Sequence, residues 1–153
     1  MGIKKAVIDA NVLLALIDEK DKWHYKASAL VRVLKRGKWE VIYLDCVLNE
    51  VVSVLCRRLE ERGESQSLLS LLERLEELVP EEQIEWLYPD VPELYGDIMK
   101  LIKEKEGNLN FHDALIVLFM KNQGLNNILS FDTDFDEVNG INRIKHNGEI
   151  NKA

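Results

Sequence analysis

Lys4-Lys5-Ala6-Val7-Ile8-Asp9-Ala10-Asn11-Val12-Leu13-Leu14-Ala15-Leu16-Ile17 is the stretch on which the fold turns. Residues 4–8 are a short run that ends on an acid and shows no polar–apolar alternation. Such a run reads as a strand covered on both faces, the kind found in parallel sheets. Val12 to Ile17 continues as a short helix, so Asp9 stands at the turn between strand and helix.

The same alternation repeats outward. Residues 24–36 place Ala27, Leu30, Val31 and Leu34 on one helical stripe, and Gly37 is a stop. Val41-Ile42-Tyr43-Leu44 is a second strand. A helix over 47–62 turns Val47, Val51 and Leu55, with Leu48, Val52 and Leu59, inward until Gly63. Ser65 is placed to cap the next helix, 66–79, which carries seven apolar residues from Leu68 to Val79. These two helices read as a hairpin whose leucine stripe is wide enough to serve a partner as well as the core, and a homodimer is the expectation. Pro80 breaks the pattern. Residues 84–87 make a third strand, and 91–105 a helix ending near Gly107. Residues 111–123 make an almost wholly apolar, central helix, stopped by Gly124. Residues 127–131 and 141–145 are the fourth and fifth strands. Strands alternating with helices predict one α/β domain over residues 1–153, with a mostly parallel five-stranded sheet between two helical layers.

Composition narrows the class. The chain has 153 residues, 46% of them hydrophobic, which suits one ordinary core. Cys46 and Cys56 form no C-x-x-C pair, no apolar run approaches the ~20 residues of a membrane span, and the start lacks a signal peptide's cleavage region. The expectation is a cytoplasmic protein. A net charge of −7 argues against a general nucleic-acid coat but leaves room for an enzyme with local basic patches. Lys35-Arg36-Gly37-Lys38, Arg57-Arg58 with Arg62, and Lys100, Lys103 and Lys105 are the candidates; as a rule such runs are solvated helix faces.

Four acids carry the chemistry. Asp9 follows a strand and could cap the helix after it. Glu50 lies one turn into its helix, where the dipole favours a carboxylate. Asp113 sits among Phe111, Ala114 and Leu115, and could be the N3 partner of Asn110 in a capping box. Asp132 opens Asp132-Thr133-Asp134-Phe135-Asp136, which could be an Asx turn. In combination, two acids lie at strand ends and two in helices that follow strand-end loops, so all four converge on the carboxyl edge of the sheet, where open sheets place their sites. Carboxylates gathered without a cation repel and raise one another's pKa values. Mg²⁺ or Mn²⁺, which require oxygen ligands, are the implied metals.

The chain resembles the PIN-domain nucleases, above all the small VapC-like toxins of prokaryotic toxin–antitoxin pairs, over nearly its whole length. Val7-Ile8-Asp9-Ala10-Asn11, Leu48-Asn49-Glu50-Val51, Phe111-His112-Asp113-Ala114 and Leu129-Ser130-Phe131-Asp132-Thr133-Asp134 look like the family's four motifs, in order. The resemblance implies metal-binding and catalytic roles for Asp9, Glu50, Asp113 and Asp132, with Asn11 and Ser130 as polar supports. In the last motif Asp134 stands as a possible sharer of, or substitute for, the role of Asp132. It further implies hydrolysis of RNA phosphodiester bonds, an RNA substrate and an antitoxin partner. His24-Tyr25-Lys26-Ala27 also fits a family habit, with His24 in a structural role.

Other classes fall away. Phosphate-binding glycine loops are absent, and His24, His112 and His146 lack zinc spacing. An EF-hand starting at Asp132 fails because Glu137 stands where glycine is needed and Arg143 where the closing acid is needed. A receiver-like or aspartyl-phosphatase site would want a second acid beside Asp9, and position 11 is Asn. The rival from another class is an inactive PIN-like module that binds RNA or protein; a self-repelling acid cluster has no physical purpose there.

Overall fold

The computed structural model describes residues 2–144 and 150–152. Its sheet runs β3 (Ile84–Glu85), β2 (Glu40–Leu44), β1 (Lys5–Ile8), β4 (Asn127–Leu129), β5 (Asn142–Ile144), β6 (Ile150–Lys152). The first five strands are parallel neighbours, as the alternation predicts, and β6 pairs antiparallel with β5. This sixth strand was not foreseen, because Ile150-Asn151-Lys152 is too short and too polar to carry a periodic signal. The predicted fifth strand extends to Lys145, which lies outside the described residues, as does His146.

Between β1 and β2 lie α1 (Ala10–Ile17) and α2 (His24–Arg36); between β2 and β3 lie α3 (Asp45–Arg62) and α4 (Leu68–Leu78). Both crossovers step the same way along the sheet. The next, through α5 (Val91–Glu104) and α6 (Phe111–Asn122), returns from β3 past β2 and β1 to β4. Right-handed crossovers therefore put α1–α4 on one face and α5–α6 on the other, and the helices contact one another in those two groups. The winding direction reverses between β1 and β4. That reversal opens a crevice at the carboxyl ends of these two strands, where Asp9 and the Ser130–Asp132 turn lie.

The core is continuous from Ala6, Val7 and Ile8 of β1 to Ala114–Val117 of α6, all buried. At about 25 cal/mol per Å² of apolar surface, this two-sided burial is what fixes β1 as the central strand. Several boundaries shift from the sequence reading. Helix α3 starts at Asp45 rather than 47, which puts Glu50 in its second turn rather than its first. Ser65 caps nothing; residues 65–67 form a 3-10 turn, and α4 begins without a side-chain cap. Only two residues of the predicted third strand pair. Trp86 and Leu87 depart because the buried Asp45 carboxylate accepts the Leu87 and Tyr88 backbone N–H groups, both at 2.9 Å, and pulls the chain off the sheet edge. The leucine stripe of α4 is mostly spent inside the monomer: Leu75 is buried, Leu68, Leu71, Leu72 and Leu78 pack on the core, and Leu69 alone stands 70% exposed. No helix among the described residues is long and apolar enough to cross a membrane.

Candidate functional site

Asp9 caps α1 and faces the crevice at the same time. Its Oδ1 accepts the Ala10 N–H at 2.8 Å, while Oδ2 accepts the Ser130 hydroxyl at 2.6 Å and the Asn11 amide at 3.3 Å. Asn11 turns its Oδ1 to the Phe131 N–H at 3.1 Å, and Ser130 Oγ accepts the Asp132 N–H at 3.0 Å. Asp132 Oδ1 in turn accepts the Asp134 N–H at 2.9 Å, which is the expected Asx turn. One hydrogen-bonded chain thus runs from the end of β1 to the 3-10 turn Thr133–Glu137. It also explains why β4 stops at Leu129: Ser130 is 1% exposed, and its side chain serves the turn rather than the sheet. Arg143 of β5 holds the far end of that turn with a two-point pair to Asp136 at 2.9 and 3.0 Å.

Asp113 enters from the other layer. The capping box with Asn110 is formed: the Asp113 N–H donates to Asn110 Oδ1 at 2.9 Å, and the Asn110 N–H donates to Asp113 Oδ2 at 3.1 Å. Capping and membership of the acid cluster coexist, because the box engages one carboxylate oxygen. Glu50, half-buried, comes from α3.

Electrostatics tie the four together. Burial pushes the Asp9 carboxyl up to about 6 against its bonds to Ser130 and Ala10, and Glu50 and Asp132 add to the rise. Burial likewise pushes Asp113 up to about 6, helped by Asp9, Asp132 and Asp134. Glu50 is raised by burial, then by Asp113 and Asp132. Asp134 is exposed and is raised chiefly by repulsion from Asp132, so it lies at the rim. Every donor on offer is a hard oxygen, which fits Mg²⁺ or Mn²⁺ and not a thiophilic metal. Yet among the described residues no three acidic, His or Cys side chains stand as a ready-made ligand set. The carboxylates interact through their charges without closing to ligand spacing.

Four features escaped the sequence reading. Asp45 follows β2 as Asp9 follows β1, but its oxygens all go to backbone N–H groups, so it is structural. Asp18 and Asp21 bind Arg58, at 3.3 and 2.7 Å, and Arg62 also binds Asp18; together they pin the loop after α1 to α3. The Tyr88 hydroxyl lies 3.3 Å from His112 Nε2 beside the cluster, and burial lowers the His112 pKa. Trp23 packs on Phe131 with ring centroids 4.8 Å apart. His24 has the structural role expected of it, with Nδ1 2.7 Å from the Ala15 carbonyl oxygen.

Comparison with known proteins agrees with this architecture. No curated protein sequence matches the chain. Among solved structures, the Mycobacterium tuberculosis toxin VapC20, described as cleaving the sarcin–ricin loop, superposes with a TM-score of 0.61 at 21% identity, over 84% of this chain and 91% of that one. That likeness is one of fold. The sequence model of the PIN domain matches residues 6–141, an interval that contains Asp9, Glu50, Asp113 and Asp132. With strand order, crevice and motif order in accord over that span, the chain belongs to the PIN domain family.

Proposed function

We propose that this chain is a divalent-metal-dependent ribonuclease that hydrolyses phosphodiester bonds, and that it acts as the toxin of a toxin–antitoxin pair. The observation that carries the reading is the convergence of Asp9, Glu50, Asp113 and Asp132 at the β1–β4 crevice, each of the first three with a raised pKa. Such an arrangement is unfavourable until a cation fills it. Asp9, Glu50, Asp113 and Asp132 are the residues that would hold Mg²⁺ or Mn²⁺, with Asp134 as a rim ligand. When bound, the cation supplies Lewis acidity at the phosphate and a water of lowered pKa. Ser130 and Asn11 fix the orientation of the Asp9 carboxylate through their bonds to Oδ2. The Asx turn sets the direction of Asp132, and the capping box sets that of Asp113.

The test is cleavage of a labelled single-stranded RNA. Cutting in Mn²⁺ or Mg²⁺, abolished by excess EDTA and restored by adding back metal, is the expected result. Undiminished cutting in EDTA would sink the metal-dependent reading, and no cutting under any condition would leave the inactive binding module. An antitoxin protein and a second copy of this chain are the partners the reading implies. VapC20 is a toxin by its description, and Leu69, Trp86 and Tyr95 are exposed apolar side chains able to take part in contacts. Sedimentation at micromolar concentration should return twice 17.7 kDa; a monomer mass counts against the dimer.

A further inference from the structure

We propose that the cleft between the 18–23 loop and α3 is the track on which single-stranded RNA approaches the acid cluster, with one unpaired base stacked on Trp23 and its flanking phosphates on Lys22 and Arg57. This rests on the nuclease reading above.

The cleft encloses about 490 Å³ and shares two of its lining residues, Asn11 and Glu50, with the acid site. That volume is within the range that holds a small ligand, and a chain lying in it runs directly into the carboxylates. The 18–23 loop presents Lys22 and Trp23 on one wall, and α3 presents Arg57 on the other, the wall that also carries Glu50. Trp23 is held on the same scaffold as Asp9, since Phe131, against which it packs, donates its N–H to Asn11.

The remaining cations of the cleft are already engaged. Arg58 and Arg62 bind Asp18 and Asp21, and Lys20 binds both oxygens of Glu64 at 2.8 Å. These pairs stiffen the walls and leave their charge balanced. Among the described residues Arg57 has only an exposed contact of 4.0 Å with Glu61, a kind of pair that contributes little. Among the described residues Lys22 has no carboxylate partner; its ammonium sits 4.5 Å over the Trp23 ring. An exposed, flexible lysine over an indole marks that face as open. A base can take the face by stacking while the ammonium moves a short way to the adjoining phosphate. A polyanion drawn to a chain of net charge −7 needs uncompensated cations beside the acids, and Lys22 and Arg57 are in that position. The occupant is single-stranded because a lone ring stacks an unpaired base, whereas duplex bases are already stacked on each other.

Anisotropy of a fluorescein-labelled, unstructured RNA of about ten nucleotides, with EDTA present, reads binding apart from cleavage. Trp23→Leu should weaken binding at least about fivefold, the lower end of what one stacked base contributes, and Trp23→Phe should recover most of it. Lys22→Gln and Arg57→Gln should each flatten the slope of log affinity against log salt by about 0.7. Trp39 lies under Lys4 at the opposite edge of the sheet, so Trp39→Phe should bind as wild type does. Should Trp23→Leu not fold, Trp23→Phe with the exposed Lys22→Gln carries the test. Absent RNA binding by wild type, or affinity unchanged in Trp23→Leu and Lys22→Gln, overturns the proposal; the latter assigns the cleft to some other occupant, such as an acidic polypeptide. A chain that cuts RNA in Mn²⁺ while Trp23→Leu binds normally overturns the track and leaves the nuclease reading. A chain that binds RNA through Trp23 and never cuts does the reverse.

Discussion

Asp9→Asn should abolish RNA cleavage and at the same time make the metal-free protein more stable at neutral pH. The two effects have one cause. Raising a carboxyl from 3.8 to about 6 means that its ionised form costs the folded state roughly 3 kcal/mol. The sign follows from the direction of the shift. Above pH 6 the group is ionised in both states and the cost is full; below 3.8 it is protonated in both and the cost vanishes. Asparagine removes the charge and is as good an N-cap as aspartate, so the bond from the Ala10 N–H survives. The Oδ2 position does not survive intact, because an amide nitrogen cannot accept the Ser130 hydroxyl and Asn11 amide bonds now made there. At about 1 kcal/mol for each of these two hydrogen bonds, the net gain is about 1 kcal/mol at pH 7 in EDTA. It should shrink toward zero or reverse by pH 4. Loss of a direct metal ligand, at several kcal/mol of transition-state stabilisation, should lower the cleavage rate by roughly a hundredfold or more. Urea melts across pH 4–7 with EDTA check the first effect, and the RNA assay the second. A variant less stable at pH 7 than at pH 4, relative to wild type, would mean that the Asp9 charge is already compensated by the fold.

Much of this was legible in the sequence because burial and periodicity report on each other. A short apolar run closed by an acid at a turn reads as a covered strand, so β1 and the crevice at its end followed from Ala6 to Asp9. Apolar faces also gave all six helices to within a few residues. What failed was decided by polar side chains acting on backbone. Asp45 terminates β3 from 42 residues away, and nothing local to Ile84–Leu87 announces it. Ser130 ends β4 by bonding the Asp132 N–H, where the sequence ran the strand on to Phe131. Among the site residues, composition could not tell Asp45 from Asp9, since both are acids after apolar strands; only the donors each meets separate them. Two pairs of alternatives weighed from sequence proved not to exclude each other. Asp9 and Asp113 each cap a helix and each also feel the neighbouring acids, because a carboxylate has two oxygens and a cap uses one.

That double role sets up the last expectation. Asp113→Asn keeps an oxygen able to accept the Asn110 N–H, so the capping box should persist and stability in EDTA should match or exceed wild type. Asp113→Ala removes the box and should cost about 0.5–2 kcal/mol. The direction for Asn is set by the Asp113 carboxyl, which burial and the neighbouring acids hold at about 6; removing its charge relieves the fold above that pH and changes nothing below the ordinary carboxylate range. Metal response then isolates the second oxygen. Saturating Mn²⁺ should stabilise wild type by roughly 2.7 kcal/mol at a hundredfold excess over Kd, which for a chain of this size is a Tm rise of about 5–10 °C. In Asp113→Asn the rise should fall to less than half, and cleavage should be lost. Thermal melts of wild type, Asp113→Asn and Asp113→Ala, each with EDTA and with Mn²⁺, separate the two oxygens. If Asp113→Asn is clearly destabilised and still gains the whole metal shift, both oxygens belong to the helix cap, and the metal is held by Asp9, Glu50 and Asp132 without it.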